Sequence, residues 1–147
     1  MWARSERKNI LALCETPAMS DVIALVTEFL GALQPTYVDL TGAIERYCTE
    51  DCVWSNTGLP TQEGKAAMLA FNEAFRSVSG LGMIEIDILN IAAEGNVVLT
   101  ERIDYLRTDD GTLIAALPVM GTFELRDGQI AAWRDYYDPT PLQGKPG

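Results

Sequence analysis

Four apolar runs in the second half of the chain, separated by three turn signals, constrain the fold more than any other feature. Met83 to Ala93, Val97 to Thr108, Thr112 to Leu125 and Gln129 to Tyr137 have strand character, and E-G-N, D-D-G and R-D-G stand between them. Turns of that composition join adjacent antiparallel strands, so the runs read as consecutive hairpins. Side chains alternate across a strand. Ile84, Ile86 and Ile88 therefore share one face of the first run, opposite Glu85 and Asp87. Leu113, Leu117, Val119 and Phe123 give the third an apolar face, and Trp133, Asp135 and Tyr137 align in the fourth. Pro118 cannot donate to a ladder and predicts a bulge or an edge in the third run.

The first half reads as helical. Ser20 is placed to cap a helix carrying Val22, Ile23, Val26, Phe29, Leu30 and Leu33 at helical spacing, with Pro35 closing it. A second helix is expected from Tyr37 to Tyr47, with Val38, Ile44 and Tyr47 inward. C-V-W-S-N makes a short strand ending at Asn56, and T-G-L-P makes a loop. Thr61 then caps a third helix, Glu63 to Val78, with Ala67, Met68, Phe71 and Phe75 on one side and Gly80 and Gly82 at its end. Three helices followed by a meander predict an α+β domain, its curved sheet wrapped around the helices. It is expected over residues 20–138, between an N-terminal arm (1–19) and a Pro/Gly-rich tail (139–147) without regular structure.

Net charge of −10 without a basic cluster disfavours nucleic acid and anionic membrane surfaces as partners, since both need cations. Cys14, Cys48 and Cys52 are an odd number, which suits free thiols and a cytoplasmic, soluble protein. Cys48 and Cys52 come close if one helix runs through both, but no further ligands complete a metal site. The apolar run Ile10 to Cys14 is shorter than a signal core. With no histidine in the chain, acid–base chemistry falls to carboxylates, tyrosines or lysines.

The carboxylates worth pairing are Asp104 and Asp135. In V-V-L-T-E-R-I-D-Y-L, Arg102 and Asp104 lie two residues apart and share a face with Val98, Thr100 and Leu106. If Asp135, in W-R-D-Y-Y-D, lies on a neighbouring strand, one pocket holds Asp, Arg and Asp. Periodicity alone also permits Glu101, Arg102 and Asp104 to be cross-strand ion pairs on a solvated face, and Asp135 an exposed salt bridge. By the same standard Asn56 is a turn residue and Trp54 core.

W-S-N at Trp54 to Asn56, T-E-R-I-D at Thr100 to Asp104 and W-R-D-Y-Y-D at Trp133 to Asp138 resemble, in order and separation, the limonene-1,2-epoxide hydrolase family. The resemblance runs from about Ser20 to Asp138. It implies a cone-shaped fold of the nuclear transport factor 2-like, SnoaL-like type, also described as a cystatin-like α+β barrel, and a homodimer. It also implies metal-free, cofactor-independent, one-step hydrolysis of a small, largely apolar epoxide such as limonene 1,2-epoxide to a vicinal diol. Asp135 would be the base acting on water, Asp104 the acid at the epoxide oxygen, Arg102 the bridge between them, and Asn56 a holder of the water. Trp54 stands where the family usually has tyrosine, the other water ligand; its indole donates but cannot accept. Ile86, Leu106, Leu117, Val119 and Tyr137 are expected, by strand parity, to wall the pocket.

The chemistry suits these residues. Keeping Asp104 protonated at neutral pH means lifting its pKa from about 3.9 to about 7 or above, roughly 4 to 5 kcal/mol, which burial supplies and a solvated face does not. All three groups are therefore expected in one buried array at the pocket floor. Competing readings are a ketosteroid-isomerase-like or polyketide-cyclase-like enzyme using an Asp base on a carbon acid, and a non-catalytic binder of small lipophilic molecules.

Overall fold

The computed structural model describes residues 17–143. Cys14, the basic N-terminal residues and nearly all of the expected arm lie outside that range. The helices are α1 (Met19–Ala32), α2 (Tyr37–Tyr47) and α3 (Lys65–Ser79); the strands are β1 (Cys48–Asn56), β2 (Gln62–Glu63), β3 (Leu81–Glu94), β4 (Val97–Thr108), β5 (Leu113–Arg126) and β6 (Gln129–Tyr136). The strands form one curved, unclosed sheet in the order β2-β1-β6-β5-β4-β3, and the helices pack on its inner face. This is the α+β domain with a curved sheet that the element pattern predicts, in the cone shape that the family resemblance implies.

The meander β3 to β6 is antiparallel throughout, and its last turn places both Asp127 (φ 52) and Gly128 (φ 76) in the positive-φ region that a two-residue hairpin loop requires. β1 departs from the meander pattern because it arrives from the helices and adds to the far side of β6 in parallel. It is also longer than the expected strand. Thr49, Glu50 and Asp51 continue it with a register shift between Cys48 and Val53, and Cys48 and Cys52, four residues apart, both point inward. The two cysteines thus share a strand, not a helix.

Several local expectations are corrected. α1 starts at Met19 after Ala18, so Ser20 lies inside the helix and caps nothing. Val38, expected inward, is 76 % exposed, whereas Leu40, Ala43 and Ile44 form the buried stripe. α2 begins with a capping box that Thr36 and Asp39 make reciprocally. Thr61 does not cap α3: Gln62 and Glu63 pair with β1 first, and Gly64 leads into the helix. Gly80 ends α3 in the left-handed conformation, but Gly82 already belongs to β3. Leu113 is exposed, because a register shift beside it breaks the parity of β5. Pro118 lies in an interior strand without a register shift; pairing with β6 starts only at Met120, so Pro118 sits past that neighbour's end. The tail contains a 3-10 turn, Thr140–Leu142, whose Leu142 packs against the buried cluster Ala115, Leu117 and Val119.

The core is centred on Phe29 of α1, whose ring meets those of Tyr47, Phe123 and Trp133 at centroid distances of 5.8, 6.2 and 5.3 Å. Burying a side chain of this kind contributes roughly 1.5–3 kcal/mol. Here it also fixes Trp133, which the site uses. The free edge of β3 is covered near its start, where Ile84 N–H donates to Pro35 O and Ile86 N–H to Gln34 Oε1, both at 2.8 Å.

Candidate active site

Strand register assembles the site. Asn56 of β1 lies opposite Asp135 of β6, Asp135 opposite Gly121 of β5, and Gly121 opposite Thr100 of β4, so four strands place these residues in one lateral row. The next row is Trp54, Trp133, Phe123 and Val98, all buried. Arg102 and Asp104 follow Thr100 along β4 on the same inner face.

Arg102 is 1 % exposed, and its guanidinium joins both carboxylates. Nε and Nη2 donate to Asp104 Oδ1 and Oδ2 at 2.9 and 3.1 Å, and Nη2 donates to Asp135 Oδ2 at 2.7 Å. Nη1 donates to Thr100 Oγ1 at 3.1 Å, which itself donates to Gly121 O at 3.2 Å. The remaining Asp135 oxygen accepts from Trp133 Nε1 at 2.9 Å. Gly121 is required by proximity: a Cβ there would lie 2.1 Å from Arg102 Nη1 and 2.7 Å from Asp135 Oδ1. The solvated ion-pair alternative does not describe these residues.

Burial pushes the pKa of both carboxyls up, and Arg102 pulls both back. The two differ in what else acts on them. The charge on Asp135 raises Asp104 further, while the Trp133 N–H favours ionised Asp135. One cation thus lies between two carboxyls, one buried and one half-buried, whose surroundings differ in what they do to the charged form. Arg102 itself is held charged, since its two partners outweigh the burial that opposes its charge.

These groups floor a cavity with about 100 Å³ open to the centres of water-sized spheres, many times the ~10–15 Å³ that one water needs. Trp54, Asn56, Ile86, Asp104, Leu106, Val119, Asp135 and Tyr137 line it, while Arg102 lies beneath it. Leu117 is buried with Ala115 and Val119 and is not part of the lining. Tyr137 O–H donates to Asn56 Oδ1 at 3.3 Å. Trp54 packs against Trp133 and Phe71 at centroid distances of 5.1 and 5.4 Å, and its Nε1 is enclosed without a hydrogen-bond partner.

Sequence reasoning missed Gly121, Leu59, Leu142 and Asn72. A glycine inside a strand signals close approach, and that signal was available for Gly121. Asn72, four residues after Met68, is a buried polar residue on the inner stripe of α3; it lines the cavity and donates to Met68 O at 2.9 Å. Among the described residues no three His, Cys, Asp or Glu side chains cluster as a metal site, and no helix is long and apolar enough to cross a membrane.

Fold and site together define a cone-shaped α+β pocket protein whose cavity floor carries a carboxyl pair sharing one buried guanidinium. The chain belongs to the limonene-1,2-epoxide hydrolase family, whose catalytic-domain model matches residues 20–143. It is 36 % identical over 124 residues to epoxide hydrolase EphG of Mycobacterium tuberculosis (strain ATCC 25618 / H37Rv), covering 84 % of this chain and 78 % of that one. Among solved structures, an LEH-like epoxide hydrolase of M. tuberculosis superposes with TM-score 0.69 at 32 % identity, over 86 % of this chain and 89 % of the other. A putative SnoaL-like polyketide cyclase from Jannaschia sp. CCS1 superposes with TM-score 0.67 over 87 % and 92 % of the two chains. At 18 % identity it speaks for the fold alone.

Proposed function

We propose that this protein is an epoxide hydrolase that converts small, largely apolar epoxides, limonene 1,2-epoxide among them, to vicinal diols in one metal-free step. The observation that carries the reading is Arg102 bonded to both Asp104 and Asp135 beneath an apolar cavity. Ionised Asp135 takes a proton from water as the water oxygen attacks a ring carbon. The C–O bond breaks, and protonated Asp104 supplies the proton that the leaving oxygen takes up. One proton then returns from Asp135 to Asp104, so the cycle closes without a cofactor. Arg102 holds the two carboxyls in different protonation states, and Asn56 holds the water. Ile86, Leu106, Val119 and Tyr137 supply the wall against which an apolar ring packs, with Leu117 supporting it from behind. A cytoplasmic homodimer completes the proposed reading, supported by the free thiols Cys48 and Cys52 and by Leu99, Met120 and Tyr136 exposed on the outer face of the sheet.

The test is diol formation from limonene oxide and cyclohexene oxide, followed by mass spectrometry without added metal. Wild type should give diol. Asp135→Asn and Asp104→Asn should each lose about 100- to 10,000-fold, the range that a positioned acid or base typically contributes. Near-normal turnover in either variant rejects its role. Single-turnover reaction in heavy-oxygen water should put the label in the diol; label in the enzyme would mean a covalent ester instead.

A further inference from the structure

A water that must attack carbon needs its lone pair aimed and its protons engaged, so it needs partners besides the base. Asn56 is one. The indole of Trp54 cannot act as another where it lies, because Nε1 is enclosed and makes no hydrogen bond. Its ring is held there by Trp133 on one side and the edge-on Phe71 on another.

We propose that the Tyr137 hydroxyl is the missing holder of the attacking water, donating its proton to Asn56 Oδ1 and accepting one from the water. This rests on the hydrolytic reading above and adds a residue to it. Tyr137 lines the same cavity as Asn56, Asp104 and Asp135, and its O–H lies 3.3 Å from Asn56 Oδ1. Its backbone is tied to the base. Thr57 N–H and Oγ1 donate to Asp135 O at 3.2 and 3.3 Å, and Tyr137 N–H donates to Thr57 Oγ1 at 3.4 Å.

That circuit has a chemical consequence. With Oδ1 of Asn56 occupied by the phenol, the amide presents Nδ2 as the donor that remains, and Nδ2 can donate to the water oxygen. One water proton then goes to Asp135 and the other to the phenol oxygen, which keeps lone pairs that an indole lacks. A lone pair of the water stays free for the carbon. The phenol remains a donor through the working range, because burial and the charges of Asp135 and Asp104 push its pKa up to about 12.

Tyr137→Phe removes the hydroxyl and keeps the ring. The expected result is a kcat about ten- to a hundredfold lower, as for loss of one positioned hydrogen bond, with KM changed less than about threefold and the melting temperature nearly unchanged. A Tyr137→Phe kcat within about twofold of wild type overturns the role. Asp135→Asn in the same assay separates the two levels of the argument. If it turns over normally, or wild type makes no diol, the hydrolytic reading falls and this role with it. If it is dead while Tyr137→Phe is normal, only the role of Tyr137 falls.

Discussion

Arg102 is a full cation at almost no solvent exposure, a placement that costs several kcal/mol unless partners offset it. Two carboxylates and a threonine hydroxyl do so, and Phe123 lies 5.9 Å beneath its guanidinium carbon. Three directions of hydrogen bonding are in use at once, which a lysine ammonium cannot reproduce. Arg102→Lys is therefore expected to lose at least about 100-fold in kcat/KM in the diol assay while remaining folded by circular dichroism. The carboxyl pair sets a pH dependence. The proposed mechanism needs Asp135 ionised and Asp104 protonated, so the rate is expected to fall on the acid side as Asp135 takes a proton and on the alkaline side as Asp104 loses one. Both pKa values are raised by burial, so both limbs of the profile should lie above the ordinary carboxylate range near 3.9. Stability carries the opposite sign to the usual aspartate: a raised folded pKa favours the native state at low pH and loses that advantage as pH rises through it. Asp104→Asn cannot ionise. Its melting temperature should gain on wild type between pH 4 and pH 8, and a constant difference would show that Asp104 titrates normally.

At the scale of elements, the site is a product of register, and Gly121 is where the register is tightest. A methyl group at that position would strike Arg102 Nη1 and Asp135 Oδ1, neither of which has room to retreat. Gly121→Ala is expected to cost about 1–3 kcal/mol in denaturant unfolding, as overpacking does, and to lower kcat because both charges shift. Unchanged kcat would mean that the array adapts. The hairpin turns and which residues of β4 and β6 share a face were legible, because a two-residue period fixes the alternation. That the face of Arg102, Asp104 and Asp135 is the inner one was left open by periodicity and was favoured only by the motif resemblance. What else was not legible sits where that period breaks. Between Ile88 and Asn90 of β3 the register shifts, so that Ile91 and Ala93 turn inward in place of Asn90 and Ala92. The polar run Thr49 to Asp51 hid the start of β1, and no local signal in it announces a parallel partner eighty residues away. The position of Asn56 beside Asp135 followed from motif resemblance and only afterwards from pairing. Val38 was misassigned because an apolar residue in the first turn of α2 was counted into the helical stripe, whereas the buried stripe is Leu40, Ala43 and Ile44 and Val38 faces solvent.

The whole molecule leaves apolar side chains on the side of the sheet that the helices do not cover. Val53, Leu99, Met120 and Tyr136 come from four different strands, are each at least about one-third exposed, and point away from the core. Met120 and Tyr136 lie directly opposite each other, one residue before Gly121 and one after Asp135, so they form the reverse side of the site's own rows. Charged groups share that face, Glu101 opposite Met120 and the Arg134–Glu124 ion pair between Val53 and Tyr136, so it is a mixed surface of exposed apolar and paired charged side chains, of the kind on which a second copy of the chain is proposed to seat. Association sets two negative charges against each other, and at 0.15 M salt the ~8 Å Debye length screens most of what lies beyond the contact. Sedimentation velocity should therefore find a dimer whose population grows with salt. Met120→Glu places a charge at the centre of that face and should shift the protein to monomer, with a lower melting temperature and with the substrate KM altered less than kcat, since the strands behind Arg102 and Asp135 lose their backing. A Met120→Glu protein that sediments as wild type does would remove this face from the interface, and a wild type that stays monomeric at tens of micromolar would remove the dimer itself.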